Sequence, residues 1–431
     1  MTDLPISRAP GLRSMLALVA TPAVIVFLSS NFVNAGNLAF NMIFSRLMGP
    51  ELFGVLAMIL TIKLALLGVM GAIQMAVSQL VASCTGDERP TVEQALSRIN
   101  RFLFLGVLIL GIALTTSLVL GGSVGARLLP TEPHLLAILL AAMPFGAAFS
   151  VLRGIAFGDM MTGRIVWSAN IEMGVRLIGA LLAWALGFGI EGVVVAISVS
   201  IVAGWLVLAD LTPKFSGSVD IRPFAKTLTL AAIPFGLLQV TQVIALDGDI
   251  FLAKAFLSDE DAGFIAALSL FQRIQFFACF ALSSVLLPKV IRVVQQGGNV
   301  LECAMPVYAL FAVVSLIVIL GAVMAPEAMI SLLAGTAYVP AASSLALAVV
   351  AASLFTFSYL TTTLLIACND KVGVVLISLG AVLQGSAMGL DDPARFGDLI
   401  EVKAICQLII ALLILLRAAQ CLRGLKSQPN A

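Results

Sequence analysis

The chain has 431 residues, of which 61% are hydrophobic and only 11% are charged, and its formal net charge is +1. Because soluble domains carry about 25% charged residues, this composition excludes an ordinary soluble protein and indicates a membrane protein. Apolar runs of about 20 to 30 residues recur, which is too long for the ~10-residue strands of a membrane barrel, so we expect transmembrane helices. The small net charge argues against nucleic acid as a partner.

Twelve membrane-spanning helices are predicted, each long enough to cross ~30 Å of hydrocarbon. Their bounds are 14–46, 52–81, 102–122, 135–157, 165–187, 191–210, 224–256, 262–287, 304–324, 341–366, 372–390 and 398–417. The first and the seventh are over-long and carry Pro22 and Pro234 near their starts. Both helices are therefore expected to bend or to protrude from the bilayer.

The two halves of the chain resemble each other at their first helical hairpins. Aligning Gly54 on Gly263, about half a chain later, also pairs Glu51 with Glu260. With six spans per half and the same starting side, the halves form a parallel repeat. The predicted fold class is thus an all-α polytopic membrane protein with two six-helix lobes.

The predicted domain limits follow from this repeat and from a basic segment rich in Pro, Ser and Gly after the sixth span. Residues 1–210 form the N-terminal lobe, 211–226 the cytoplasmic linker, 227–417 the C-terminal lobe, and 418–431 a cytoplasmic tail. Most of the 24 Lys and Arg residues fall on the side of the two termini, so both termini are predicted to be cytoplasmic.

All connecting segments are short, and the sequence contains no GxxxxGK[ST] phosphate-binding loop. We therefore expect no coupling to ATP hydrolysis within this chain and no enzymatic domain.

Four asparagines line one face of the first helix: Asn31, Asn34, Asn37 and Asn41. They fall within an arc of ~120°. Such amides either join helices by hydrogen bonds or form the wall of a polar cavity. Four on one face favour the cavity wall, where amides that both donate and accept suit sugar hydroxyls.

Two cations, Lys63 and Arg273, lie near the middle of spans two and eight with no acidic residue close in sequence. Charged groups at this depth are costly and are commonly functional. Both are candidates to bind an anionic head group, with a tertiary salt bridge as the alternative for each.

Two further cations have acidic residues near them in sequence. Arg176 follows Glu172 by four residues, a spacing that allows a pair within one helix, so it is either neutralised or a third substrate-binding cation. Lys403 lies just inside span twelve, two residues after Glu401, and we expect it to extend to the outer interface.

Span seven carries two acids, Asp247 and Asp249, which point about 200° apart on a helix. One of them is expected to line the cavity and the other to pair with Lys254 or Arg273. A buried Asp is also a candidate for H⁺ or Na⁺ coupling. Three glutamines add uncharged polar candidates for the cavity: Gln74, Gln239 and Gln242.

The segment FSRLMGPELFGVLAM (44–58) resembles the first hairpin of the polysaccharide transporter family, which belongs to the multidrug/oligosaccharidyl-lipid/polysaccharide (MOP) flippase superfamily. Residues 232–270, with a proline, mid-helix acids and a terminal AGF, are similar to the seventh-span unit of that family. Residues 325–350 are similar to the element between its spans nine and ten. The second unit departs from the pattern because AFLSDEDAGF lacks the Arg and the Gly-Pro of the first.

The resemblance implies two lobes around a central, partly hydrophilic cavity with alternating access. It implies transport of a polyprenyl-diphosphate-linked oligosaccharide, or a related polysaccharide precursor, from the inner to the outer leaflet of a bacterial inner membrane. Lys63, Arg176 and Arg273 would then hold the diphosphate. The implied partners are the lipid-linked glycan, membrane lipids and other polysaccharide-assembly proteins, with no cofactor beyond an H⁺ or Na⁺ that drives transport.

Two other functions stay open from the sequence. The first is an H⁺- or Na⁺-coupled exporter of small molecules in the same superfamily, for which Asp247 or Asp249 would be the coupling group. The second is a membrane polymerase or ligase of glycans, which usually needs acid, base or cationic groups on a large outer loop. The short outer loops argue against this second function.

Overall fold

The computed structural model describes residues 22–84, 88–120, 133–212, 220–296, 298–390, 393 and 395–426. In this part of the chain every regular element is helical, with twelve α-helices and two short 3-10 helices at Ala209–Leu211 and Thr336–Ala341. The α-helices are α1 Pro22–Ser83, α2 Arg89–Leu120, α3 Pro133–Gly158, α4 Thr162–Ala185, α5 Gly189–Leu208, α6 Arg222–Phe256, α7 Asp259–Gln295, α8 Val300–Met324, α9 Pro326–Leu333, α10 Ala342–Ala367, α11 Val372–Leu390 and α12 Phe396–Lys426.

Eleven helical stretches of the described residues are long and apolar enough to cross a membrane. The first of them, Leu28–Ser83, overlaps the first predicted span and contains the second, so this number agrees with the twelve spans expected. Outward-facing side chains such as Ile109, Ile317 and Leu416 are each more than half exposed, as expected for surfaces that contact lipid tails. The protein is thus a multi-pass membrane protein.

Helix α1 is 62 residues long but is interrupted at Gly49, where φ is 70° and ψ is 176°. A side chain is disfavoured at this positive φ, which glycine adopts without strain. Pro50 follows and cannot donate a backbone hydrogen bond, so the helical ladder is weakened at the same place. The first two predicted spans therefore meet at a single non-helical residue, Gly49. The bend expected near Pro22 falls at the edge of the described residues, which begin there, and stays a prediction.

By backbone contacts the described residues fall into two compact units. The described residues of Met1–Ala39, Ile73–Ile112 and Ile138–Ala232 form unit 1, and those of Phe40–Ala72, Ala113–Ala137 and Ile233–Ala431 form unit 2. This grouping is a different division from the six-helix lobes at 1–210 and 227–417, which stay a prediction.

In unit 1, helix α3 lies directly against α1. A Cβ atom built on Gly154 would lie 2.8 Å from the carbonyl oxygen of Gln74, and one built on Gly158 would lie 2.5 Å from Val81. The two glycines are four residues apart, the small-residue spacing that allows membrane helices to approach closely. Around this contact, Leu96, Leu152 and Leu208 complete an apolar core.

In unit 2, helix α10 is the central element. It packs against α7, α8, α11 and α12, and 18 of its 26 residues are buried. Phe276 of α7 lies edge-on to Tyr359 of α10, with 5.3 Å between the ring centroids. Four hydroxyls of α10 donate to the carbonyl four residues earlier: Ser353, Thr356, Ser358 and Thr363. This helix therefore satisfies much of its own polarity.

The break in α1 is held in unit 2 by the short helix α9 and the residues after it. The Arg46 guanidinium donates to the carbonyls of Ser331 and Leu333, both at 3.2 Å, and to that of Leu332. Ser45 Oγ donates to the carbonyl of Ala334 at 2.9 Å. Because the last carbonyls of a helix have no partner within it, Arg46 acts as a cap for α9.

Candidate functional site

The most deeply buried ion pair of the described residues joins α12 to α6 in unit 2. Lys403 of α12 is 1% exposed, and its Nζ donates to the Leu246 carbonyl at 2.7 Å and to Asp249 Oδ2 at 2.8 Å. It also donates to Gln272 Oε1 of α7. An ammonium has three N–H donors, so all of them are used.

A second ion pair lies beside the first. Arg273 Nε of α7 donates to Asp247 Oδ1 at 2.9 Å, and Arg273 Nη2 donates to Thr61 Oγ1 of α1 at 3.0 Å. Because Asp247 and Asp249 point in different directions from α6, each contacts a different cation. The predicted pairing of one of these acids with Arg273 is confirmed.

The expectation that Lys403 extends to the outer interface is wrong. Lys403 and Glu401 are two residues apart, so they lie on opposite faces of α12. Glu401 is exposed, whereas Lys403 faces α6 and α7. Its depth below the helix end was readable from the sequence, but the face it presents depends on which helices pack against α12.

The other candidate partner of the two acids binds elsewhere. Lys254, at the end of α6, pairs with Asp259 at the start of α7. The charge network of Asp247, Asp249, Arg273 and Lys403 thus contains two acids and two bases. Each charge has an opposite partner, as burial in a medium of low dielectric requires.

An amide relay extends this charge network towards α11. Gln407 of α12 donates to Gln384 Oε1, and Gln384 Nε2 donates to the Ala245 carbonyl at 3.2 Å. Three buried atoms in this region have no hydrogen-bond partner: Asp249 Oδ1, Gln272 Nε2 and Gln407 Oε1. Since buried polar atoms are nearly always paired, they mark positions where water or an ion is needed. The sequence shows Gln384 and Gln407 as uncharged polar groups within the spans, but it does not predict their hydrogen bond or their place beside the two acids.

The remaining candidates of unit 2 are buried or half-buried. Lys63 is 4% exposed and lies two residues after Thr61, on a different face of α1 from the Arg273 contact. Gln242 is 4% exposed. Gln239 is half-buried and packs against Gly68.

Unit 1 contains a second group of interior charges. The Arg153 guanidinium lies 5.1 Å from the centroid of the Phe149 ring, a cation–π contact. Glu172 of α4 attracts both Arg153 and Arg176. A Cβ atom on Gly204 would lie 3.3 Å from Glu172 Cβ, so the glycine leaves room for that side chain. Arg176 and Glu172 are four residues apart on α4, and Arg153 of α3 is an additional interior cation of this group.

The amide face of α1 is only partly covered. Asn31 and Asn34 are exposed, while Asn37 and Asn41 are half-buried. Near its start, Asn170 Nδ2 of α4 donates to Ser29 Oγ at 2.6 Å. Of the predicted site residues, Asn31, Asn34, Asn37, Gln74 and Arg176 lie in unit 1, and Asn41, Lys63, Gln239, Gln242, Asp247, Asp249 and Arg273 lie in unit 2.

No family model and no curated relative matches the sequence. Several solved structures, in contrast, match its fold. An inward-facing multidrug resistance MATE family transporter of the MOP superfamily superposes with a TM-score of 0.75 at 18% identity, covering 92% of this chain and 96% of that chain. The protein has the fold of the MOP superfamily transporters. The predicted all-α polytopic class and the resemblance to this superfamily are confirmed at the level of the fold.

Two other MOP structures agree with this assignment. The lipid II flippase MurJ, in an inward closed conformation, has a TM-score of 0.73 at 14% identity and covers 93% of this chain and 90% of its own. A MOP superfamily transporter from Pyrococcus furiosus has a TM-score of 0.59 at 16% identity, with coverages of 96% and 97%. At these identities the comparisons show only the MOP fold. The cargo has to be inferred from the residues of this chain.

Proposed function

We propose that this MOP-fold protein is a flippase that moves a polyprenyl-diphosphate-linked oligosaccharide, or a related polysaccharide precursor, across a bacterial inner membrane. Transport runs from the inner to the outer leaflet by alternating access between two lobes around a central cavity. Both termini are cytoplasmic, and the chain acts as a transporter rather than as an enzyme. Its partners are the lipid-linked glycan, membrane lipids and other polysaccharide-assembly proteins.

The observation that carries this proposal is an excess of positive charge among the interior residues. We consider the buried and half-buried charges within the predicted spans, leaving out the first and last four residues of each span. Among the described residues of unit 2 these are three cations and two acids, and in unit 1 two cations and one acid. The cations are Lys63, Arg273, Lys403, Arg153 and Arg176, and the acids are Asp247, Asp249 and Glu172.

An interior with net positive charge favours an anionic cargo, because a diphosphate entering it regains part of the electrostatic stabilisation it loses on leaving water. A cationic cargo would instead meet repulsion. We assign Lys63 of unit 2 to the diphosphate. Arg176 of unit 1 is a separate candidate, which would exchange the attraction of Glu172 for that of the phosphate. Arg273 contacts the cargo only if it exchanges its ion pair with Asp247 for one with the phosphate.

The rest of a lipid-linked glycan is a chain of hydroxyls, which bind best to groups that both donate and accept hydrogen bonds. The amide face of α1, with Asn31 and Asn34 exposed, provides such groups. Gln74 and Gln239 are half-buried and supply further amides.

A second candidate function rests on the two buried acids. Asp247 and Asp249 are each at most 1% exposed, and a buried carboxylate that exchanges its cationic partner for H⁺ or Na⁺ is a general means of coupling transport to an ion gradient. The exporter function would therefore depend on Asp247 and Asp249 and would accept small molecules.

Reconstitution separates the two functions. Purified protein is placed in vesicles that contain a fluorescent polyprenyl-diphosphate oligosaccharide, and flipping is followed by the access of an added quencher. We expect flipping by the wild type, at least ~10-fold slower flipping by Lys63→Met, and a normal rate for Lys371→Met, which removes the same charge from an exposed position. A protein that leaves this lipid in place but moves a cationic dye when a pH or Na⁺ gradient is imposed would be the exporter.

A further inference from the structure

The environment of Lys403 Nζ resembles the coordination shell of a metal cation. Its three contacts are a backbone carbonyl, a carboxylate and a side-chain amide oxygen, from Leu246, Asp249 and Gln272. Hard cations prefer this mixture of oxygen donors. The lysine ammonium is itself a compact point charge, unlike the planar guanidinium of arginine.

All three oxygens come from α6 and α7, whereas the positive charge comes from α12. The three oxygens are therefore contributed by α6 and α7 whichever residue occupies position 403. A fourth oxygen is present, because Asp249 Oδ1 is buried and accepts no hydrogen bond. A shell that offers more oxygen acceptors than the ammonium has protons is better matched by a spherical ion than by an ammonium.

The charges lead to the same conclusion. With Lys403 in place, the charge network of Asp247, Asp249, Arg273 and Lys403 is neutral. Without it, the network has one carboxylate in excess, and a buried carboxylate without a counter-charge is strongly unfavourable. Uptake of a small monovalent cation restores neutrality and uses the oxygens already present.

We propose that the Lys403 ammonium is a built-in cation that fills a latent Na⁺ site formed by Leu246, Asp249 and Gln272. The wild-type cluster therefore needs no Na⁺ from solution, and removal of the ammonium creates a Na⁺-binding cluster. This proposal is compatible with the flippase and with an exporter driven by H⁺, but not with an exporter in which Na⁺ replaces Lys403 at Asp249.

Thermal unfolding of the purified full chain in detergent tests it. NaCl is titrated against choline chloride at constant ionic strength, so that general screening is the same in every sample. We expect the Tm of the wild type and of Lys371→Met to be independent of Na⁺. We expect Lys403→Met to have a lower Tm in choline chloride and to gain at least about 2 °C, with saturation, as Na⁺ replaces choline.

The double variant Asp249→Asn/Lys403→Met is the matched control. It is neutral like the wild type but lacks the carboxylate, so its Tm is expected not to respond to Na⁺. A folded Lys403→Met that is indifferent to Na⁺, or that choline stabilises equally, overturns the proposal. So does a wild type that Na⁺ stabilises.

A direct measurement covers the case in which Lys403→Met does not fold. Binding of radioactive Na⁺ to the wild-type protein is expected to show no saturable component. Saturable binding that Asp249→Asn removes would overturn the proposal, because the site would then accept Na⁺ with the lysine in place.

Discussion

Gly54 and Gly263, which the sequence alignment pairs as equivalent positions of the two halves, lie in backbone contact in unit 2. A Cβ atom built on Gly54 would lie 3.1 Å from the backbone nitrogen of Gly263. One built on Gly263 would lie 2.2 Å from the carbonyl oxygen of Pro50. The first turns of α7 therefore pack against the break in α1 with no space for side chains.

This contact predicts that Gly263→Ala is destabilising. The new methyl group would overlap backbone atoms, which cannot move aside as a flexible side chain can, so we expect a loss of about 2 kcal/mol. Gly71→Ala is the control, because a Cβ atom there meets no atom within 4 Å and alanine favours the helix. Thermal unfolding in detergent compares the two. Equal stability of both variants would show that the contact is looser than the structure indicates.

The Arg46 cap of α9 predicts a local effect. In Arg46→Ala the carbonyls of Ser331, Leu332 and Leu333 lose the guanidinium donor, so the end of α9 is expected to open more often. Hydrogen exchange of the peptide that contains these residues is the measurement, and we expect at least about a tenfold faster exchange.

Two further variants sharpen the test of the cap. Arg46→Lys is expected to restore little of the protection from hydrogen exchange, because one ammonium cannot replace a guanidinium that contacts several carbonyls. Arg222→Ala, at an exposed arginine, is expected to leave this peptide unchanged. Unchanged exchange in Arg46→Ala would mean that the cap does not hold α9.

The Asp247–Arg273 pair predicts strong coupling in a double-mutant cycle. Removing one partner leaves a buried charge, so Asp247→Asn or Arg273→Met alone is expected to cost about 3 kcal/mol or more, while the double variant costs less than the sum. The exposed Arg164–Asp210 pair, with a contact of 2.6 Å, is the reference. Its coupling is expected to be much smaller because solvent screens it. Additive losses at Asp247 and Arg273 would contradict an energetically coupled pair.

Cys368, which follows α10 outside the membrane-spanning segments, predicts a pH-dependent reactivity. Burial raises the pKa of its thiol to about 11, so the reactive thiolate is scarce at neutral pH and increases as the pH rises towards that value. In a variant whose other five cysteines are alanine, maleimide labelling of folded protein is expected to be slow up to about pH 9. The same variant unfolded in detergent is expected to label rapidly. Fast labelling of the folded variant at pH 7 would contradict this.

Much of the helical architecture was predictable because long apolar runs allow few alternatives in a membrane. The Asp247–Arg273 contact was also predictable from the sequence, because two opposite charges at similar depth in the membrane need partners. Lys403 was misjudged because the choice of face requires the packing of α12 against α6 and α7, which no local pattern encodes. In the same way, the alignment of Gly54 with Gly263 indicated equivalence but not contact.

The near-complete burial of α10 has a consequence for how the protein enters the membrane. As an isolated span, α10 exposes its serine and threonine hydroxyls to lipid tails, which is unfavourable for hydroxyls that lack a hydrogen bond. The hydroxyls of Ser353, Thr356, Ser358 and Thr363 lower this cost, because each is already bonded within the helix. We therefore expect helix α10 to be stable in the bilayer as an isolated span before the later helices α11 and α12 pack against it.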